Sequence, residues 1–63
     1  MTLKQLFNEK IIYKDDDFVL MNPNNKVLID NRDRISPLLD DYTDLEIIRI
    51  RLDAQKGLII KVR

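Results

Sequence analysis

The apolar residues of this chain fall in short clusters whose spacing changes along its length. Near the start, Leu3, Leu6 and Phe7 recur at helical spacing, while Lys4, Asn8 and Glu9 fall on the other side. Thr2 stands just before them and Gln5 three residues later, the pattern of a reciprocal capping box. The spacing predicts a helix of about two turns. So short a helix is unstable alone, and its apolar stripe must dock on another element.

From residue 11 the pattern turns to short, nearly continuous apolar runs. IIYK at 11–14 reads as a strand that DDD at 15–17 breaks. FVLM at 18–21 and KVLID at 26–30 flank NPNN, where Asn tolerates positive φ and Pro fixes its own, so the unit predicts a hairpin. A two-residue Asn24–Asn25 turn and a four-residue loop give opposite face assignments, and the register stays open between them. After the charged connection NRDR at 31–34, Ser36 and Pro37 suit the start of a helical turn over 37–42. That turn would bury Leu38, Leu39 and Tyr42 and leave Asp40 and Asp41 in water.

The last third carries two competing patterns. Thr43–Asp44–Leu45–Glu46 fits a capping box and Gly57 a helix stop, which would punctuate a helix over 44–56. On that helix, however, Ile47 and Ile50 would lie on the polar side, away from Leu45, Ile48 and Leu52. Period two accounts for the whole region instead. Ile48, Ile50 and Leu52 alternate with Ile47, Arg49, Arg51 and Asp53, and after a turn at Gly57, Leu58, Ile60 and Val62 alternate with Ile59, Lys61 and Arg63. β-Branched isoleucines favour the extended form. The two credible turn lengths differ by an even number of residues, so Arg49, Arg51, Lys61 and Arg63 share one side in either case.

These elements predict a single α+β domain over residues 1–63. A short N-terminal helix packs on a small antiparallel sheet of hairpins, with four to five strands and a helical turn near 37–42. The chain is close to the lower limit for folding on its own core. Its 44% hydrophobic content supports only a modest one, which gives an independent motive for oligomerisation.

Composition removes several kinds of chemistry. The chain has no Cys and no His, so thiolate metal sites, disulfides and the commonest neutral-pH general base are excluded. A single Gly excludes glycine-rich phosphate loops. Ser36 and the threonines have no His and no Ser-x-x-Lys or elbow motif around them. The carboxylates are numerous: Asp15, Asp16 and Asp17 are adjacent, Asp30 and Asp33 flank a charged loop, and Asp40, Asp41 and Asp44 form a third group. DDDFVLMNPNNK nevertheless lacks the central Gly of a calcium loop and places apolar residues at its ligand positions. Paired carboxylates that hydrolyse glycosidic bonds need a walled cleft, which so short a chain has little material to build. We expect no enzyme, no metal, no cofactor and no small-molecule substrate.

Charge sharpens the picture. Lys plus Arg and Asp plus Glu each number 11, so the formal net charge is zero. Residues 1–46 carry six basic and ten acidic residues, net −4, whereas residues 47–63 carry five basic and one acidic, net +4. The candidate contact surface is therefore the outer face of the last hairpin, with Arg49, Arg51, Lys61 and Arg63 around Ile47 and Ile59. Its arginine forks and stems suit an acidic protein partner or a second subunit. Nucleic acid is the alternative, since cations on adjacent strands can meet successive phosphates. Against it, Phe7, Tyr13, Phe18 and Tyr42 lie elsewhere in the sequence, and sheet-type readers of single strands stack bases on aromatics. In the bland reading these are solvated edge residues, neutralised by acidic groups of the 40–46 turn.

The order KQLF, FVLMNPNNKVLID, LLDDY and EIIRIRL followed by GLIIKV resembles small uncharacterised phage and prophage proteins of low-GC Gram-positive bacteria. The resemblance implies a helix followed by a small antiparallel sheet, and a regulatory role on host machinery or a defence system. It implies no catalytic or binding residue. MTLKQLFNEK lacks the apolar centre of a secretory signal and no run is long enough to span a bilayer. The expected setting is cytoplasmic, the host cytoplasm if the chain is phage-encoded, without membrane partners. Protein partners or homo-oligomerisation, a homodimer for example, are the expected associations.

Overall fold

A computed structural model describes every residue except Asp33. The chain forms a helix α1 (Leu3–Asn8), strands β1 (Phe18–Met21) and β2 (Val27–Asp30), a 3-10 turn (Leu39–Tyr42), and strands β3 (Ile47–Asp53) and β4 (Gly57–Val62). The four strands form one sheet in the order β2-β1-β4-β3. Both hairpins are antiparallel, β1 with β2 and β3 with β4. The two hairpins meet through a parallel pairing of β1 with β4, Phe18 opposite Leu58 and Leu20 opposite Ile60. The sheet is therefore mixed where the sequence predicted an antiparallel one. Nothing local in FVLM or GLIIKV distinguishes a parallel from an antiparallel neighbour.

The helix is punctuated at both ends by its own sequence. The Thr2 hydroxyl accepts the Gln5 N–H at 3.3 Å, and the Gln5 side-chain oxygen accepts the Thr2 N–H at 2.8 Å. At the other end the Lys10 N–H donates to Phe7 O and the Ile11 N–H to Leu6 O, with Lys10 at φ 59°. These are the paired bonds of a Schellman stop, built here without glycine. Leu3 and Leu6 are buried, and the Phe7 ring lies tilted against Phe18 at a centroid distance of 6.4 Å, so the stripe docks on β1. The same side of the sheet gathers Leu20, Ile29, Ile60, Val62, Ile12 and Leu39 into the main core.

No strand forms at 11–14, contrary to the reading of IIYK. The Ile11 N–H is held by the helix stop, and the Tyr13 N–H donates to the Asp16 carboxylate at 2.8 Å while Asp16 N–H returns to Tyr13 O. With those groups engaged locally, the segment turns instead of pairing, and Ile12 reaches the core from a bend. The turn at Asn22 also differs from both alternatives. Asn25 N–H closes on Asn22 O, the Asn22 side chain accepts the N–H groups of Asn24 and Lys26, and Asn25 sits at φ 67°. Three residues, Pro23 to Asn25, make the loop. A bulge at Leu28 then resets the register so that Ile29 opposes Leu20 on the core side.

The 3-10 turn follows Ser36 and Pro37 as the sequence predicts. Ser36 Oγ accepts the Leu38 N–H at 3.2 Å, and Leu39 is buried, although Leu38 points to solvent. Asn31, within the connection read as merely charged, is the one buried polar side chain among the described residues. Its Nδ2 donates to Lys14 O and Asp16 O and its Oδ1 accepts the Ser36 N–H, tying the connection before β1 to the one after β2.

Candidate functional site

The last hairpin forms as the period-two pattern predicts, and Gly57 sits where its turn needs a positive φ, at 73°. Arg49 opposes Lys61 and Arg51 opposes Ile59, so these four share the face opposite the helix. Arg63 follows the end of β4 and continues the same alternation. Its N–H donates to Glu46 O at 3.0 Å.

Ile47 does not belong to that face. The register shifts between Ile47 and Arg49, with Ile48 as the extra residue, so Ile47 opposes Val62 and packs on the core. A bulge inverts every assignment on its N-terminal side, which a uniform alternation misplaces. The chain start favours the bulge: Ile47 N–H donates to Met1 O at 2.7 Å and Thr2 bridges Glu46. Ile59 is on the basic face but is buried, and it forms a second small cluster with Val19 and Met21. The long stems of Arg49, Arg51 and Lys61 lie on this face beside the cluster and can shield it while their charges stay in water. The basic face thus has an apolar floor and a charged roof, not the exposed Ile47–Ile59 patch that the sequence suggested.

The apolar exposure lies on the other side of β3, where sequence reasoning expected core. Ile50 opposes Ile60 and Leu52 opposes Leu58, both on the helix side, yet Ile50 is 42% exposed and Leu52 82%. The cause is dimensional. A six-residue helix is about 9 Å long and about 10 Å wide, whereas four strands span about 14 Å between their outer axes. Helix length was the signal in the sequence that an edge would stay bare.

Electrostatics isolates the basic residues. The described ion pairs are the chain amino group with Glu46, Lys14 with Asp40, and Arg32 with Asp30. Arg49, Arg51, Lys61 and Arg63 form none among the described residues. Among the described residues no acidic group of the 40–46 turn forms an ion pair with them, Glu46 pairing with the N-terminus and Asp40 with Lys14. Among the described residues, the carboxylates of Asp30 and Asp53 are held below their ordinary range. Asp30 is lowered chiefly by its side-chain hydrogen bond from Arg32. Asp53 is lowered by the N–H groups of Gln55 and Lys56, which both donate to its Oδ1, with the Arg51 charge adding a smaller pull.

Among the described residues no three Asp or Glu side chains converge to hold a metal ion, and Asp33 lies outside the described residues. An open depression of about 390 Å³ is lined by Asp17, Arg32, Gln55, Lys56 and Gly57. It lacks an apolar wall, and Arg32 is already engaged by Asp30 through two bonds of 2.8 and 2.6 Å. No helix among the described residues is long and apolar enough to cross a membrane. The chain matches no protein-family model, no curated protein and no solved structure.

Proposed function

We propose that this chain is a non-enzymatic protein-interaction protein whose contact surface is the basic face of β3 and β4, fitted to an acidic protein surface. The observation that carries the reading is that Arg49, Arg51 and Lys61 on adjacent strands, with Arg63 just beyond β4, form no ion pair among the described residues. Directly opposed like charges, as at Arg49 and Lys61, weaken a sheet unless an anion joins them. Arginine forks bind carboxylates in two-point fashion, and the buried floor beneath keeps the face rigid. The pattern shared with small phage proteins favours a host protein complex or a defence system as the partner, in the cytoplasm. The experiment is affinity capture from a Gram-positive host lysate with the native chain and with Arg49→Glu/Arg51→Glu, both checked for fold by circular dichroism. A protein held by the native chain, lost by the variant and released by salt is the expected result. Identical captured sets from both would sink the reading.

Nucleic acid is the second reading, favoured by the same cations on two neighbouring strands. The strands of this face carry no aromatic ring for stacking: β3 and β4 have none, and Phe18 of β1 belongs to the core side. Duplex phosphates are therefore the ligand this reading needs. It predicts retarded duplex DNA or RNA at low salt, weakened by Arg49→Ser/Arg51→Ser. Unchanged mobility of both probes at low salt would remove it.

A further inference from the structure

The edge of β3 carries a feature separate from its basic face. Leu58 donates its N–H to Asp17 O, on the β1 side of β4. Amide directions alternate along a strand, so Leu58 and Ile60 both turn toward β1. In an antiparallel ladder opposed residues either exchange bonds or both face away. Leu52 and Ile50, opposite Leu58 and Ile60, therefore turn their N–H and C=O groups outward. β3 is the last strand of the sheet, and among the described residues the chain start covers only its first positions, through Met1 O and Thr2. The two residues with outward backbone groups also carry the exposed side chains of this strand's core side. An edge with free backbone groups and bare apolar side chains is the surface that strand addition uses.

We infer that β3 pairs antiparallel with β3 of a second copy, about a two-fold axis at Arg51, joining two sheets into one. Charge and ladder length together choose the register. Three two-fold registers set the outward-facing residues against each other. An axis at Ile50 places Arg49 opposite Arg51 twice, stacking like charges. An axis at Leu52 pairs Arg51 with Asp53 twice, but it sends Ile50 opposite Ala54, in the turn, and keeps only residues 51–53 in the ladder. The axis at Arg51 places Ile50 opposite Leu52 and Arg49 opposite Asp53, each twice. It leaves one like pair, Arg51 with its own copy, and each of those arginines has an Asp53 of the other copy on one diagonal and an Arg49, itself opposite an Asp53, on the other. Asp53 suits the part, because its turn bonds engage Oδ1 and leave Oδ2 for the arginine of the other copy.

The two-fold runs perpendicular to the sheet, so both helices lie on one side and both basic faces on the other. Arg51, Lys61 and Arg63 of the two copies then form one continuous surface. The inference goes beyond the proposed function, and Leu52→Lys separates the two, because it alters the edge and leaves the basic face intact.

The chain has no Cys, so a single introduced thiol reports the axis directly. Ile50→Cys, Arg51→Cys and Leu52→Cys each test one register, since only the residue on the axis meets its own copy within disulfide reach. Mild oxidation is expected to cross-link Arg51→Cys about tenfold faster than the other two. Sedimentation equilibrium of the native chain from about 10 μM to about 1 mM is expected to show mass rising from 7.5 kDa toward twice that, as a small interface predicts. Leu52→Lys, at an exposed position, is expected to weaken association at least about tenfold with an unchanged circular dichroism spectrum. A constant 7.5 kDa across the range overturns the dimer. Fastest cross-linking at residue 50 or 52 overturns the register, and a dimer indifferent to Leu52→Lys overturns the edge.

Discussion

Strands β1 and β3 belong to the same sheet and are both rich in large aliphatic residues, yet every residue of FVLM is buried and none of IIRIRLD is. Hydrophobic content does not separate them. Place in the sheet does: β1 has a strand on either side and the helix across its core face, while β3 ends the order β2-β1-β4-β3. A residue of the same kind therefore stabilises the fold at one position and is available for contact at the other. Leu20 is fully buried and Leu52 is 82% exposed.

Substituting Leu20→Ala is the strongest challenge to that contrast. It is expected to cost about 3 kcal/mol in urea unfolding, a large share of what so small a domain holds. A cost below about 1 kcal/mol would mean that β1 is not the centre of the core. Asn31→Ala comes next, at about 2 kcal/mol, because it leaves the Ser36 N–H and the carbonyls of Lys14 and Asp16 without their partner. Amide exchange should quicken at Ser36 in that variant. Gly57→Ala follows at about 1–2 kcal/mol, from the positive φ and from Asp17 O, which a new Cβ would meet at 3.1 Å. Its loss should appear first in the β4–β1 joint, measured by exchange at Leu58. At the edge, Leu52→Thr is expected to change stability by less than about 0.5 kcal/mol in protein dilute enough to be monomeric. A large loss there would show that β3 is held on its bare side.

The smallest effect concerns acid. Asp53 ends β3, and its carboxyl pKa is lowered from 3.8 in the folded chain. A folded pKa below the unfolded one stabilises the fold above pH 3.8 and loses that contribution as pH falls through the lowered value. The carboxyl resonance of Asp53 should titrate below 3.8. Asp53→Asn, which still accepts the turn N–H groups, should flatten the acid limb of the stability curve. An unaltered limb would separate Asp53 from it.

The sequence carried the elements that depend on neighbours in the chain. The capping box at Thr2 and Gln5 and the alternation from Arg49 onward are local chemistry, and the structure keeps both. It did not carry what depends on distant contacts. Ile47 changed faces because the chain start crosses the beginning of β3, and no periodicity encodes that crossing. IIYK failed as a strand because the Asp16 side chain captured a backbone group that pairing needs, a competition between two local bonds of similar strength. Asn31 looked like one more polar loop residue; only the convergence of two connections distant in sequence makes it internal. The basic face was legible and the bare apolar side was not, because alternation assigns sides without saying which side is covered.

The parallel joint between β1 and β4 has a consequence for synthesis. Phe18 and Leu58 meet from forty positions apart, so the middle of the sheet cannot close until nearly all of the described chain has left the ribosome. Until then the first hairpin emerges with FVLM unpaired along one edge, an apolar stretch without a charge or a proline. Folding speed is tied to the arrival of GLIIKV, which FVLM must await before its parallel edge is covered.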